Sequence, residues 1–299
     1  EGLDVERIVG SLGDAALLAH AFRGARVVFH AAARISLLRS DWAALEEVNV
    51  RGTRHVVEAC LQAGVGRLVH FSSIHALVQE PFDTPVDEDR PLVDSRGCPP
   101  YDRSKAAGER EVLRGLAQGL DAVILYPTAM VGPHDYKPSH LGEVLLALAH
   151  RRLPALVGGG FDWVDVRDVA AGALRAAEQA PAGGRYILSG HWASVRELAA
   201  LAEGVTGVPA PRLVCPLALA RVWAPCATGW AQLRGQRPLY TSVSLEALRS
   251  NPRVSHTRAT RDLGYAPRPL RETVADTYRW FAEAGMLEGH LVGGAGGKR

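Results

Sequence analysis

The chain has 299 residues, 47% of them hydrophobic and 22% charged, which excludes a disordered polymer and leaves a packed globular core as the expectation. Its 34 basic and 32 acidic residues are spread along the whole length for a formal net charge of +2, so no basic face marks a nucleic-acid partner. Four cysteines, Cys60, Cys98, Cys215 and Cys226, stand far apart without CxxC spacing, and the eleven histidines show no HExxH pattern, so neither a disulfide framework nor a metal site is predicted.

The opening residues EGLDVERIVGSLGD are charged and lack the apolar segment of a signal peptide, which together with reduced thiols predicts a cytoplasmic protein. Within them, Val5 to Val9 reads as a strand. Four short apolar runs follow, RVVFHAA at 26–32, RLVHFSS at 67–73, DAVILYPT at 121–128 and RYILSG at 185–190. They alternate with helical patterns, the signature of βαβ units in a parallel sheet. Between the first two, Trp42, Leu45, Val48, Val56, Val57, Cys60 and Leu61 recur mostly at three- and four-residue steps, and Gly64 supplies the stop. A second helix is predicted from near Tyr101 to about Gly119, and a third from Arg167 to about Ala180. After residue 190 the strand runs thin out among helical patterns such as SVRELAALAEGVTG and LRETVADTYRWFAEAG, which predicts a mostly helical second lobe. The apolar stretch from Leu213 to Leu233 contains Arg221 and two prolines, which argues against a membrane span and assigns it to the core of that lobe.

The segment CPPYDRSKAAGER at 98–110 places Tyr101 four positions before Lys105, so both side chains fall on one helix face. An ammonium group beside a phenol favours the phenolate and lowers the tyrosine pKa from ~10. Such a phenol can exchange a proton with a developing alkoxide. RLVHFSS ends in Ser72 and Ser73, at the carboxyl end of a strand where doubly wound sheets gather ligands. A hydroxyl there can bond a substrate carbonyl, or it can simply cap the turn.

The pieces VVFHAAARIS, VNVRGTRHVVEAC, LVHFSSIHAL, YDRSKAAGE, YPTAMVGP, WVDVRDVAAGAL and TRDLGYAPRPLRETVADTYRWF run in order over nearly the whole chain. Together they resemble the extended short-chain dehydrogenase/reductase family of NAD-dependent epimerases and dehydratases, in particular its dihydroflavonol reductase, 3β-hydroxysteroid dehydrogenase and epimerase group. The resemblance implies an α/β fold, a Rossmann-type doubly wound parallel sheet with a smaller, mostly helical C-terminal substrate lobe. It divides the chain into a dinucleotide-binding domain at 1–190, with part of 133–160 lent to the lobe, a substrate lobe at 191–285 and a flexible tail at 286–299. It implies NAD or NADP as cofactor, Tyr101 as catalytic acid/base, and Lys105 as the group that lowers the tyrosine pKa while binding the nicotinamide ribose. Ser73 would orient the carbonyl, with Ser72 as its rival for that place. Ala31 and Ala32 would run beneath the cofactor diphosphate, and Pro127 would stand beside the nicotinamide. Asn49 matches the family's NVxGT asparagine and anchors backbone or substrate, or else is an inward polar residue satisfied locally.

One family feature is missing. The dinucleotide fingerprint is a glycine-rich turn between a first strand and a helix, and this sequence does not contain it. VGSLGD has Gly10 and Gly13 but no third glycine, so it reads as the end of the family's third strand, with Ser11 and Leu12 at the adenine-contacting positions. The chain is therefore expected to begin after two strands and two helices of an N-terminally truncated sheet. That would leave unpaired strand edges and weak binding of nicotinamide dinucleotides. The choice between NAD and NADP falls in the same missing segment.

Family members acting on nucleotide-linked sugars usually carry a diphosphate-binding arginine before V-x-V-x-D, where GGGFDWVDVRD has Phe161. An aromatic ring cannot form bidentate charge-assisted bonds but packs on an apolar ring, which favours a ketone or alcohol substrate, although Arg152 or Arg221 could stand in for the arginine. Three functions stay open: an NAD(P)-dependent ketone reductase or alcohol dehydrogenase, a sugar epimerase or dehydratase, and a non-catalytic scaffold or inactive fragment. Retention of Ser73, Tyr101 and Lys105 argues against the third. The expected partner is a small-molecule substrate, and a homodimer is left open.

Overall fold

The computed structural model describes residues 4–222 and 241–288. In chain order it contains α1 (Ala15–Ala21), β1 (Val27–His30), α2 (Trp42–Leu45), a π-helical turn (Glu46–Arg51), α3 (Gly52–Ala63), β2 (Arg67–Phe71), α4 (Pro100–Ala117), β3 (Ala122–Pro127), β4 (Ala129–Val131), α5 (His140–Ala149), β5 (Leu156–Val157), β6 (Gly160–Asp165), α6 (Val166–Gln179), β7 (Arg185–Leu188), β8 (His191–Ser194), α7 (Val195–Thr206) and β9 (Val214–Cys215). Helices Ser242–Ala247, Thr257–Leu263 and Leu270–Glu283 follow. Two compact units result, and neither is continuous in sequence. One takes the chain up to Leu77, Pro91–Tyr126 and Ala173–Tyr186, and the other takes Val78–Arg90, Pro127–Gly172 and the chain from Ile187 onward. The division differs from a single boundary at 190 because the chain leaves the first unit beyond the carboxyl ends of β2 and β3 and returns to it each time.

The first unit is built on the predicted parallel sheet, whose order is β1-β2-β3-β7. Val28 pairs with Leu68 and His30 with His70, and one strand further Leu68 pairs with Ala122 and Phe71 with Leu125, all in parallel register. Every residue of β3 is buried, the continuous apolar run of a strand covered on both faces. β1 lies at the sheet edge among the described residues, and its Phe29 is exposed. The predicted helices form around their end signals. Gly64 ends α3 in the left-handed conformation at φ 65°, and Pro100 opens α4 at a position where its missing N–H is harmless.

The amino-terminal expectation is corrected. Residues 4–11 form no strand, and Val5 and Val9 stand in solvent. β-branched residues favour a strand only when a neighbour completes the hydrogen-bond ladder, and no strand among the described residues pairs with 4–11. VGSLGD instead leads into a turn whose Asp14 caps α1 by accepting from Leu17 N at 2.9 Å.

The second unit holds a three-stranded sheet ordered β4-β6-β8, a two-stranded pair β5-β9, and the helical core in which Tyr278 donates to the Leu145 carbonyl at 2.8 Å. β8 and β9, four and two residues long, are strands after residue 190 that the sequence pattern does not show. Leu213, Leu219 and Val222 are exposed, while Leu217 and Ala220 pack, partly buried, against the cluster of Val157, Leu245 and Leu248, so the described part of 213–233 joins the lobe core only at its edge. The remainder of that stretch, with Cys226, and the tail beyond 288 lie outside the described residues. Among the described residues no helix is long and apolar enough to cross a membrane.

A polar pair sits inside the first unit. His30 and His70 occupy matched positions on β1 and β2 with ring centroids 5.3 Å apart. His30 Nε2 meets Thr53 Oγ1 at 3.0 Å, whereas both ring nitrogens of His70 are buried without a partner. Burial, reinforced by the nearby Lys105 ammonium, lowers His30 to about 4 and His70 well below the usual histidine range. A base depressed in the folded state costs stability as the pH falls from its unfolded value of ~6.5 through its folded one. The His30 shift alone is worth about 3 kcal/mol. Urea unfolding at pH 7 and at pH 4.5 is therefore expected to show a smaller loss of stability on acidification for His30→Gln than for the unmodified protein.

Helix α4 approaches the π-helical turn closely at Gly108, where a Cβ would run into the Asn49 carbonyl oxygen. That atom belongs to rigid backbone and cannot turn aside. Gly108→Ala is expected to destabilise the protein by ~1–3 kcal/mol, read from urea midpoints, despite the better helix propensity of alanine.

Candidate active site

The first turns of α4 carry Tyr101 and Lys105 on one face, as their spacing requires. Lys105 is 5% exposed, and its Nζ donates to the carbonyl of Phe71, the last residue of β2, at 2.6 Å. Burial lowers the ammonium pKa to about 8, with the Glu109 carboxylate acting in the opposite sense. The half-buried Tyr101 lies beside the Ser73 hydroxyl. Burial pushes its phenol up to about 12, Ser73 pulls it down, and Asp102 adds to the rise. The expected depression of Tyr101 by Lys105 is thus reversed. The phenol loses more solvation than the ammonium, committed to Phe71, returns to it.

Adjacent residues of an extended chain point to opposite sides, and this separates the two serines. Ser73, at φ −160° and ψ 150°, caps the 3₁₀ turn Ile74–Ala76 by accepting from His75 N at 3.2 Å, and the same hydroxyl meets Tyr101. Capping and site-facing roles therefore coincide in one residue. Ser72 turns the other way and donates to Glu109 Oε2 at 2.6 Å, so its hydroxyl is not presented to a cofactor.

Glu109 belongs to a buried network that motif reading misses. It is fully buried, and Tyr126 donates to its Oε1 at 2.6 Å. Arg185 Nε donates in turn to the Tyr126 hydroxyl at 2.7 Å. The spacing Tyr-x3-Lys-x3-Glu already places Glu109 on the Tyr101–Lys105 stripe, a signal available from sequence. No local pattern links it to Tyr126 and Arg185, which reach it across strands.

Asn49 is buried in the π-helical turn. Its Oδ1 accepts from Arg34 N at 2.7 Å, and its Nδ2 donates to Arg34 O at 2.9 Å and to Ser104 Oγ at 2.8 Å. Of its alternatives, the arrangement matches the backbone anchor, with no polar atom left for substrate. Ala31 and Ala32 are exposed just past the carboxyl end of β1, next to β2, which Ser73 follows by two residues. Ser11 is exposed with its Oγ accepting from Gly13 N at 3.1 Å, while Leu12 lies against Gly52 and its carbonyl bonds His55 Nδ1 at 2.8 Å. Pro127 closes β3 and is buried. In the second unit, Phe161 is half-buried and edge-on to Trp163 at 5.3 Å, packed against that unit's core.

These residues suit the nicotinamide-ribose end of a dinucleotide. Lys105 has three N–H donors and spends one on Phe71, and the two alanines leave the strand end open to close approach. They do not supply a diphosphate cradle, since the described residues include no glycine-rich strand-to-helix turn.

Residues 2–189 match the family model described as the NAD dependent epimerase/dehydratase family. The chain is 36% identical over 291 residues to "Sterol demethylase protein B" of Methylococcus capsulatus, covering 96% of this chain and 88% of the relative. It is 32% identical over 305 residues to a "Putative dihydroflavonol 4-reductase" of Synechocystis, covering 96% and 85%. Among solved structures, the crystal structure of gox2253 superposes with a TM-score of 0.82 at 34% identity, over 96% of this chain and 87% of that one. A family match across more than half the chain, relatives aligned over nearly all of it, and a parallel sheet with the tyrosine, lysine and serine at its strand ends agree on one conclusion: the chain belongs to the NAD dependent epimerase/dehydratase family, the extended short-chain dehydrogenases/reductases.

Proposed function

We propose that this protein is an NAD(P)-dependent oxidoreductase that interconverts a ketone and a secondary alcohol on an apolar, ring-bearing substrate. The observation that carries the proposal is the juxtaposition of Ser73 and Tyr101 just past the end of β2, with the phenol held protonated by burial. A carbonyl oxygen placed against that pair receives two donors. Ser73 polarises it, and Tyr101 delivers the proton as negative charge develops there. A phenol with pKa about 12 is a donor at neutral pH, which suits reduction, because the alkoxide is far more basic. The nicotinamide, when bound, supplies the hydride that reaches the carbonyl carbon. Lys105 would hold the ribose hydroxyls with its remaining N–H groups while staying fixed to Phe71. Phe161, standing where a diphosphate-binding arginine would be needed, supports an apolar substrate over a sugar nucleotide. Two relatives are named for a sterol and a dihydroflavonol, both ring-bearing molecules without a nucleotide.

Oxidation of NADH and NADPH, followed by absorbance with a panel of cyclic ketones and with nucleotide sugars, tests the proposal. Net, stoichiometric consumption of reduced cofactor with a ketone is expected. Interconversion of a nucleotide sugar without net consumption, and no ketone reduced, would overturn it. Tyr101→Phe keeps the ring and removes the proton donor, so ketone turnover should fall by at least about 100-fold while cofactor binding persists.

A further inference from the structure

We propose that Glu109 is the positioning residue of this site: its carboxylate fixes the serine turn through Ser72 and supplies the buried counter-charge for Lys105. The inference rests on the oxidoreductase proposal only for its consequence in turnover. Its structural basis is independent of it.

The state of Glu109 follows from the direction of its bonds. Arg185 can only donate, so Tyr126, which receives its Nε at 2.7 Å, has a lone pair occupied and turns its proton to Glu109 Oε1 at 2.6 Å. Arg185 also reaches Oε1 at 3.5 Å, and Ser72 donates to Oε2 at 2.6 Å. Both oxygens accept, as in a carboxylate, although burial raises the carboxyl pKa against the Ser72 and Tyr126 hydrogen bonds and the Arg185 and Lys105 charges that lower it. The same side chain lies four positions after Lys105 on α4, close enough for its charge to favour the ammonium. Among the described residues, the other titratable groups near Lys105 are Tyr101 on the same face of α4, His30 from β1 and His70 from β2, all neutral. Glu109 is therefore the anion that offsets the desolvation of Lys105. Ser72 ties it to the residue preceding Ser73, so the hydroxyl and the ammonium that flank Tyr101 are held by one carboxylate.

The chain offers a direct measurement, because it contains only three lysines, Lys105, Lys137 and Lys298. Titration of ¹³Cε-labelled lysine by NMR then gives three resonances, assigned with Lys105→Gln and Lys137→Arg. Lys105 is expected to titrate near pH 8 in the unmodified protein. In Glu109→Gln, which keeps the shape, the amide oxygen can accept from Tyr126 while Ser72 turns to accept from the amide nitrogen. The Lys105 midpoint should fall by about one pH unit or more, a tenfold loss of proton affinity. Ser72→Ala removes the tie but not the charge and should leave the midpoint in place while lowering ketone turnover. An unmoved Lys105 midpoint in folded Glu109→Gln, or an equal shift in Ser72→Ala, would overturn the inference. The titration needs neither cofactor nor substrate. A protein that reduces no ketone but shows the shift refutes the oxidoreductase proposal and leaves Glu109 in its role, while ketone turnover with an unmoved midpoint does the reverse.

Discussion

One buried ammonium organises the catalytic half of this protein. Lys105 is sunk under α4 with Nζ on the Phe71 carbonyl, and a cation taken out of water is tolerated only where neighbours offer partners or charge. The surrounding sequence answers that constraint. His30 and His70 stay neutral beneath it, Glu109 stands one helical turn away, and the Phe71 carbonyl at the end of β2 accepts a hydrogen bond from it. Of 34 basic residues only three are lysines, and one of them occupies this site. A compact ammonium with a movable pKa fits where a guanidinium, larger and permanently charged, would not.

The same buried arrangement separates positioning from chemistry. Two successive serines follow β2, and the alternation of an extended chain sends Ser72 inward to Glu109 and Ser73 outward to Tyr101. Rigidity of the first is a condition for accuracy of the second, since a donor displaced by a fraction of an ångström loses much of its effect on a developing charge. Close backbone approach adds to this rigidity. Gly108 lets α4 lie on the Asn49 carbonyl, and the Asn49 side chain in turn ties the loop after β1 to Ser104 in the next turn after Tyr101. Loop, π-helical turn and catalytic helix are locked together by small side chains and satisfied amides.

Much of this was legible in the linear sequence because it depends on local periodicity. The four main strands, the stop at Gly64 and the Tyr101–Lys105 stripe are each set by residues within a few positions of one another. The family resemblance extended that reading to Ser73 and to the cofactor. Val5 to Val9 shows the limit of local reasoning: its β-branched residues carry strand propensity, yet without a neighbouring strand there is no ladder to join. β8 and β9 show the converse, for strands of four and two residues have no periodicity to detect and exist because their partners, β6 and β5, are present.

The sequence by itself determined which groups carry chemistry and the helix face that holds two of them, because a helix fixes the geometry of residues four apart. Only the tertiary structure decided their electrostatics. The sequence put an ammonium beside a phenol and implied a lowered tyrosine pKa, whereas burial of both groups lowers the lysine to about 8 and raises the tyrosine to about 12. It also decided which serine faces Tyr101, and that Tyr126 and Arg185, 17 and 76 residues from Glu109, complete its hydrogen bonds. Solvation and long-range pairing depend on which surfaces meet when the sheet assembles, and no window of neighbouring residues contains that information.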